Sequence, residues 1–363
     1  MEKFNLDRYS KDLKNTKEKV ASSTEEKVAS STEELQKLEE FFDNKLPLII
    51  QSASEDYQKT MRSKMKKAID DNDLQTAQSI MNDINEHVEN LKNLVTIEYA
   101  LEVMGESQFI GPDDIQNTFG FTPDTIPEIP FSPSELERAR ELGQQLILYI
   151  DTKADGTPFT MEDMIPSDNK TSDGKVFLYN KDNDGNWLYK DTEAKLRSET
   201  PRLGWRLTTP EVIEGSTDKN YLEQTETLIE YLKNEHFKGV DIPKVYEEAI
   251  DEFTSVNTPE LKEKVKSTKE SEWQEAARIL SELSINELTR ERSSEIIYRL
   301  AINEKKLGVK NLASKYAWSI SLDADGKLVP VGYFAGDGLV VSGWAPGPSD
   351  GILGICFSAG IRG

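Results

Sequence analysis

Apolar residues recur at helical spacing over the first two thirds of the chain and switch to strand-like alternation near its end. Within 46–104, Leu74, Ala77, Ile80, Met81, Ile84, Val88, Leu91, Val95 and Leu101 fall mostly three or four apart, the stripe of a helix with one buried face. Asp70-Asp71-Asn72-Asp73 interrupts the run, and acids there suit the N-terminus of a new helix. The region predicts a helical hairpin. Residues 105–131 include GPDDIQNTFGFTPDTIPEIPF and read as a linker carrying one short helix.

From 132 onward the signals sharpen. Ser132-Pro133-Ser134-Glu135 combines an N-cap, a first-turn proline and the acid of a capping box. Leu136, Ala139 and Leu142 form the buried face and Gly143 ends the helix. QLILYI (145–150) is a buried strand, expected near the terminal strand 352–358. VFLYN (176–180) and NWLYK (186–190) flank an Asp-Gly turn as a hairpin. GWRLTT (204–209) is another strand, and helices are expected near 220–233, 243–253, 271–283 and 293–305. After that the period becomes two: Trp318, Ile320 and Leu322 alternate, Asp323–Gly326 turns, and Leu328–Phe334 returns.

Composition adds boundaries. The first 45 residues are polar, with EKVASSTE at 18–25 repeated at 26–33 and few apolar positions (Val20, Val28, Leu35, Leu38). They read as a polar helical or frayed stalk, and the N-terminal helices offer a route to an oligomer. A spacing of eight does not hold one stripe on a helix. With 44 basic and 66 acidic residues the net charge is −22; no basic cluster interleaved with aromatics exists, so nucleic-acid binding is not expected. No apolar run is long enough to span a membrane, and the polar start MEKFNLDRYSKDLKN lacks an apolar signal core. The single Cys356 forms no internal disulfide. A cytoplasmic location is the default expectation, with export by another route left open.

No catalytic constellation emerges, and neither a cofactor nor a metal is expected. His87 and His236 stand far apart and read as surface residues. Gly347-Pro348-Ser349-Asp350-Gly351 matches the G-x-S-x-G of a nucleophile elbow, which works between a strand and a helix with a histidine following. Here no histidine follows and ILGICFS reads as a strand, so the motif is a turn. Gly336-Asp337-Gly338 lacks what a phosphate loop needs after it. Asn180, Asp182, Asp184 and Gly185 imitate a calcium loop, but Asp191 stands where the bidentate Glu belongs and no helix precedes.

The last 33 residues, VGYFAGDGLVVSGWAPGPSDGILGICFSAGIRG, use a different alphabet. They contain no Lys, Glu, Gln, Asn or Met, and nine of the chain's 21 glycines. Val331, Phe334, Val341, Leu353, Ile355 and Phe357 are apolar anchors, and Gly332, Gly338, Gly351 and Gly354 suit turns between short strands. Between the anchors, small, aromatic and aliphatic residues mix without amphipathic logic. A compact Gly-rich end of a domain would explain the glycines but not the missing residue types.

WSISLDADGKLVPVGYF, followed by spaced DG, P, S and G and then LGICFS, resembles the C-terminus of variable proteins of diversity-generating retroelements. Upstream, FSPSELERARELGQQLILYI, TPEVIEGSTDKNYLEQTETLIEYL and SEWQEAARILSELSINELTR resemble uncharacterised relatives with the same tail; the likeness spans roughly 95–363. The resemblance implies an α+β chain: a helical N-terminal region, then a C-type-lectin-like domain with helical insertions over 132–363, related to the formylglycine-generating-enzyme fold. It implies a ligand-binding face within 331–358, diversified by reverse transcription through codons that exclude Lys, Glu, Gln, Met and Trp. On this chain the face falls on Tyr333, Ala335, Gly336, Asp337, Leu339, Val340, Ser342, Gly343, Trp344, Ala345, Gly347, Pro348, Asp350 and Ile352. Trp344 departs from that codon set. Formylglycine-generating activity is not implied, because it needs a pair of cysteines. The expected function is recognition of a protein or another surface ligand without catalysis. The rivals are a multimeric, tail-fibre-like structural component and an enzyme of the same fold.

Overall fold

The computed structural model describes residues 55–71, 73, 75–77, 79, 80, 83, 95–166, 168–179, 190–335 and 338–360. The chain divides into two compact units, Met1–Leu94 and Val95–Gly363. In the first, α1 (Glu55–Asp70) buries Met61, Met65 and Ala68, the i, i+4, i+7 stripe of an amphipathic helix. Asp73 caps the helical turn that follows: the Thr76 N–H donates to its carboxylate at 3.0 Å and the Ala77 N–H to its carbonyl at 3.0 Å. The expected stalk over 1–45, His87 and positions 180–189 of the Asn/Asp loop lie outside the described residues. No described helix is long and apolar enough to cross a membrane.

The second unit is α+β and begins earlier than the sequence suggests. Val95 bridges Ile129, and α2 (Ile97–Met104) buries Ala100 and Met104 behind its Thr96 cap. Residues 95–104 therefore leave the expected hairpin, and 105–131 is no linker. That stretch forms β1 (Phe109–Ile110) and α3 (Pro112–Phe119), and it buries Phe109, Ile110, Ile115, Ile129 and Phe131. Its prolines and glycines set caps and turns, as where Pro112 opens α3 and Gly120 closes it at φ 83, while the Phe and Ile between them are core anchors.

The remaining helices are α4 (Pro133–Glu141), α5 (Ala194–Arg197), α6 (Tyr221–Tyr231), α7 (Lys244–Val256), α8 (Pro259–Lys266), α9 (Glu270–Glu282), α10 (Ser284–Thr289) and α11 (Ser293–Leu307). Ser132 and Glu135 make the expected capping box at α4, and α6, α7, α9 and α11 stand where periodicity put them. The helices α8 and α10 are too short to show a period of their own. The remaining strands are β2 (Gln145–Tyr149), β3 (Gly204–Thr208), β4 (Tyr316–Leu322), β5 (Leu328–Ala335), β6 (Gly338–Val341), β7 (Leu353–Gly354) and β8 (Ser358–Ala359). They form two sheets, ordered β1-β2-β3-β8 and β6-β5-β4-β7. β2 and the last strand, β8, share the first sheet with β3 between them, antiparallel to both; the single strand expected over 352–358 is instead two short ones, β7 in the second sheet and β8 in the first.

Period-two alternation makes the second sheet the wall between two cores. Ala317, Val329, Val331, Leu339 and Val341 face one core, with β2 and α11. Trp318 and Leu328, with Leu353, belong to the other, packed by α6 to α10. Buried charge ties α11 to the first sheet: Arg299 donates to both carboxylate oxygens of Glu291 at 2.9 Å, and the Tyr149 hydroxyl donates to the same carboxylate at 2.9 Å.

Candidate recognition face

The C-terminal segment is built on β5, β6 and the loop to β7. Val331, Gly332 and Ala335 pair with Val341, Val340 and Gly338, and the pairing continues past β6 through mutual N–H to carbonyl bonds between Leu328 and Trp344 at 3.0 and 2.9 Å. Successive strand residues point to opposite sides. Leu339 and Val341 therefore enter the core, whereas Val340, Ser342 and Trp344 stand on the other side, half-buried. Across the sheet, Val340 lies opposite Gly332 and Gly332 opposite Tyr316. Gly332 sets no side chain between its neighbours, and a Cβ there would strike the Lys315 carbonyl.

An aromatic cluster fills this end of the sheet. The Tyr333 ring stacks on Tyr316 at 5.6 Å with 10° between planes, and Trp344 lies 5.9 Å from Tyr316 and 6.2 Å from Trp318. Tyr333 keeps 43% of its surface exposed and adopts φ 51, a left-handed backbone that costs a non-glycine residue about 1–2 kcal/mol. Its N–H donates to the Lys315 carbonyl at 2.7 Å, and the stacked ring holds it there. Trp344 donates its indole N–H to Ser342 Oγ at 2.9 Å. Burial, and next the neighbouring Tyr333, push the Tyr316 hydroxyl above the usual phenol range.

The fourteen expected face residues thus separate. Tyr333, Pro348 and Asp350 are exposed, and Val340, Ser342, Trp344, Ala345 and Ile352 are half-buried. Leu339 is a correction: it is fully buried and belongs to the core, because it falls on the odd phase of β6. Gly343 and Gly347 serve close approach, since a Cβ on the first would strike the Asp323 carboxylate and one on the second would come within 2.5 Å of the Val265 carbonyl. Gly336 and Asp337, and the side chain of Ala335, lie outside the described residues. Tyr316 joins the face although it precedes the segment. Its signal was available, two positions before Trp318 on the same side of one strand.

Other chemistry is placed as follows. Ser349 sits on an exposed turn held by Asp350, whose carbonyl accepts the Asp218 and Leu353 N–H groups at 3.0 Å each and whose carboxylate accepts the Ile352 N–H at 3.0 Å. His236, expected on the surface, is buried between Phe237 and Phe357, with Nδ1 3.3 Å from Gln144 Nε2. Burial pushes its imidazole down to about 4. Its charged sequence neighbours point to solvent while a π-helical turn, Leu232–His236, rotates the ring inward. Burial likewise pushes the Cys356 thiol up to about 12, which leaves it protonated and unreactive. No protein-family model, curated protein or solved structure matches this chain.

Proposed function

We propose that this protein recognises a protein or another surface ligand through the free end of its second sheet, on a C-type-lectin-like scaffold whose C-terminal segment has been diversified. One observation carries the reading: the two phases of 338–344. Leu339 and Val341 fill the core, while Val340, Ser342 and Trp344 join Tyr316 and Tyr333 on a face that solvent reaches. A segment built this way can change its outward residues while the inward ones keep the fold. Rigid aromatics beside small polar residues are the composition of a binding surface that loses little conformational entropy on contact. Two small sheets, the β4-β5-β6 meander and a last strand that returns to the first sheet support the scaffold. The missing Lys, Glu, Gln and Met support diversification.

A scan of every position from 331 to 358, read by folding in one assay and by ligand capture in another, tests this. Tolerant positions such as Tyr333, Val340 and Ser342 should interleave with intolerant ones such as Leu339, Leu353 and Phe357. Equal intolerance for folding in both sets would make the segment ordinary core. In the surrounding DNA, a near-copy of the stretch encoding about 320–363 should differ at adenines; its absence would remove diversification from the proposal.

A further inference from the structure

One buried cation has no counter-charge among the described residues. Arg290, between α10 and α11, is fully buried. Its Nε donates to Asn286 Oδ1 at 2.8 Å, and its Nη2 donates to the Tyr221 carbonyl and Thr225 Oγ1 at 3.1 and 3.0 Å. All three acceptors are neutral. The guanidinium lies over the Tyr221 ring, 3.8 Å from its centroid, and Nη1 has no hydrogen-bond partner. The carboxylates nearest in sequence are taken. Glu287 and Glu295 pair with Arg202 at 3.4 and 2.6 Å, and Glu291 pairs with Arg299 at 2.9 Å. Burial pushes the Arg290 guanidinium down to about 10, which leaves it a cation at neutral pH. Trp318 Nε1 is a second buried donor without a partner, on an indole 5.5 Å from the same Tyr221 ring.

We propose that a halide ion binds beside Arg290 Nη1, enclosed in the core that holds Tyr221 and Trp318. An isolated buried charge is among the costliest features a fold can carry, and pairing is what offsets it. Arg299, equally buried, has its answer in the protein: the Glu291 carboxylate accepts from two of its nitrogens at 2.9 Å. Arg290 has no such partner among the described residues. A water molecule would satisfy the N–H groups of Nη1 but not the charge. A halide does both, because it accepts hydrogen bonds and donates none, and guanidinium and indole nitrogens are donors only. A divalent anion would bury an excess of negative charge. The place adjoins the frame of the candidate face: the Tyr221 N–H donates to the Pro346 carbonyl at 3.0 Å, and Trp318 meets Trp344 at 6.2 Å.

The test melts the full chain and Arg290→Met, an unbranched side chain without the charge, in sodium bromide, sodium chloride and sodium gluconate. Ionic strength is held equal, so that screening is the same in all three, and gluconate is too large for an enclosed place. The wild type should melt about 3 °C higher in about 100 mM halide than in gluconate, as a ligand at about ten times its Kd requires. Arg290→Met should lose that difference. Crystals of the wild type grown in sodium bromide need no variant to fold, and an anomalous peak is expected within hydrogen-bond reach of Arg290 Nη1. An ordered water there without anomalous signal, equal melting of the wild type in halide and gluconate, or a halide effect that Arg290→Met keeps in full would overturn the assignment.

Discussion

The phase of β6 decides which of its residues face the core, and a pair of neighbouring substitutions reads that phase directly. Leu339 is fully buried among the apolar residues behind the second sheet, and Val340 is half-buried on the opposite side. Leu339→Ala removes buried carbon from a packed site and leaves a cavity, at a cost of about 2–5 kcal/mol. Val340→Ala removes two methyl groups from a side chain that solvent already reaches, so the loss of buried apolar area is partial and the cost stays under about 1 kcal/mol. Urea unfolding monitored by tryptophan fluorescence measures both, and an unchanged m-value certifies that the two variants unfold as the wild type does. The difference between the variants should exceed about 1 kcal/mol, with Leu339→Ala the less stable. A one-residue slip in register would exchange the two roles, because it moves every side chain to the other face. Equal costs, or a larger cost at Val340, would refute the register and with it the composition of the face.

Two more outcomes follow from buried titratable groups. His236 has its folded-state value pushed down to about 4 from 6.5, so the unfolded chain takes up a proton first as pH falls. The stability tied to this ring is unaffected above about pH 6.5 and declines from there to about pH 4, by about 3 kcal/mol in all. His236→Phe should flatten that decline relative to wild type in denaturant melts between pH 4.5 and 7, and parallel curves would contradict it. Glu291→Ala leaves Arg299 buried without its counter-charge and should cost about 3–5 kcal/mol, whereas the paired replacement Glu291→Met with Arg299→Met should be much milder. A calorimetric double-mutant cycle showing additive losses would mean the two side chains act independently.

Much of the fold was legible because local rules and burial agree there. The Ser132 capping box, the Trp318–Ile320–Leu322 alternation and the Asp323–Gly326 turn are local signals that tertiary structure had no reason to override. The misreadings arise where one residue type serves two purposes. Glycine and proline in 105–131 mark flexible joints in some chains, yet here they shape caps while Phe109, Ile110, Ile115 and Phe131 fill the core. His236 sits among charged residues, and only the π-helical turn that ends α6 carries it inside. The terminal strand was misread for a different reason: nothing in the apolar run 352–358 records that Leu353 and Gly354 pair with β4 while Ser358 and Ala359 pair with β3.

The candidate face was half legible, and the reason is geometric. Its composition could be read as unusual, but a list of unusual residues has no sides until a register assigns them. Val331 opposite Val341 and Gly332 opposite Val340 supply that register, and three consequences come with it. Leu339 goes to the core. Gly343 and Gly347 become contact points for the Asp323 carboxylate and the Val265 carbonyl instead of binding positions. Tyr316 enters from β4 because it stands two positions across from Val340, with only Gly332 between. On the outward phase of β6 Val340 is half-buried, whereas Gly338 is buried and has no room for a Cβ against the Tyr179 backbone, so Val340 is the position of that phase where a side chain can vary. The left-handed Tyr333 is where frame and face meet: its backbone is held by the Lys315 carbonyl, and its ring is what a partner would touch first.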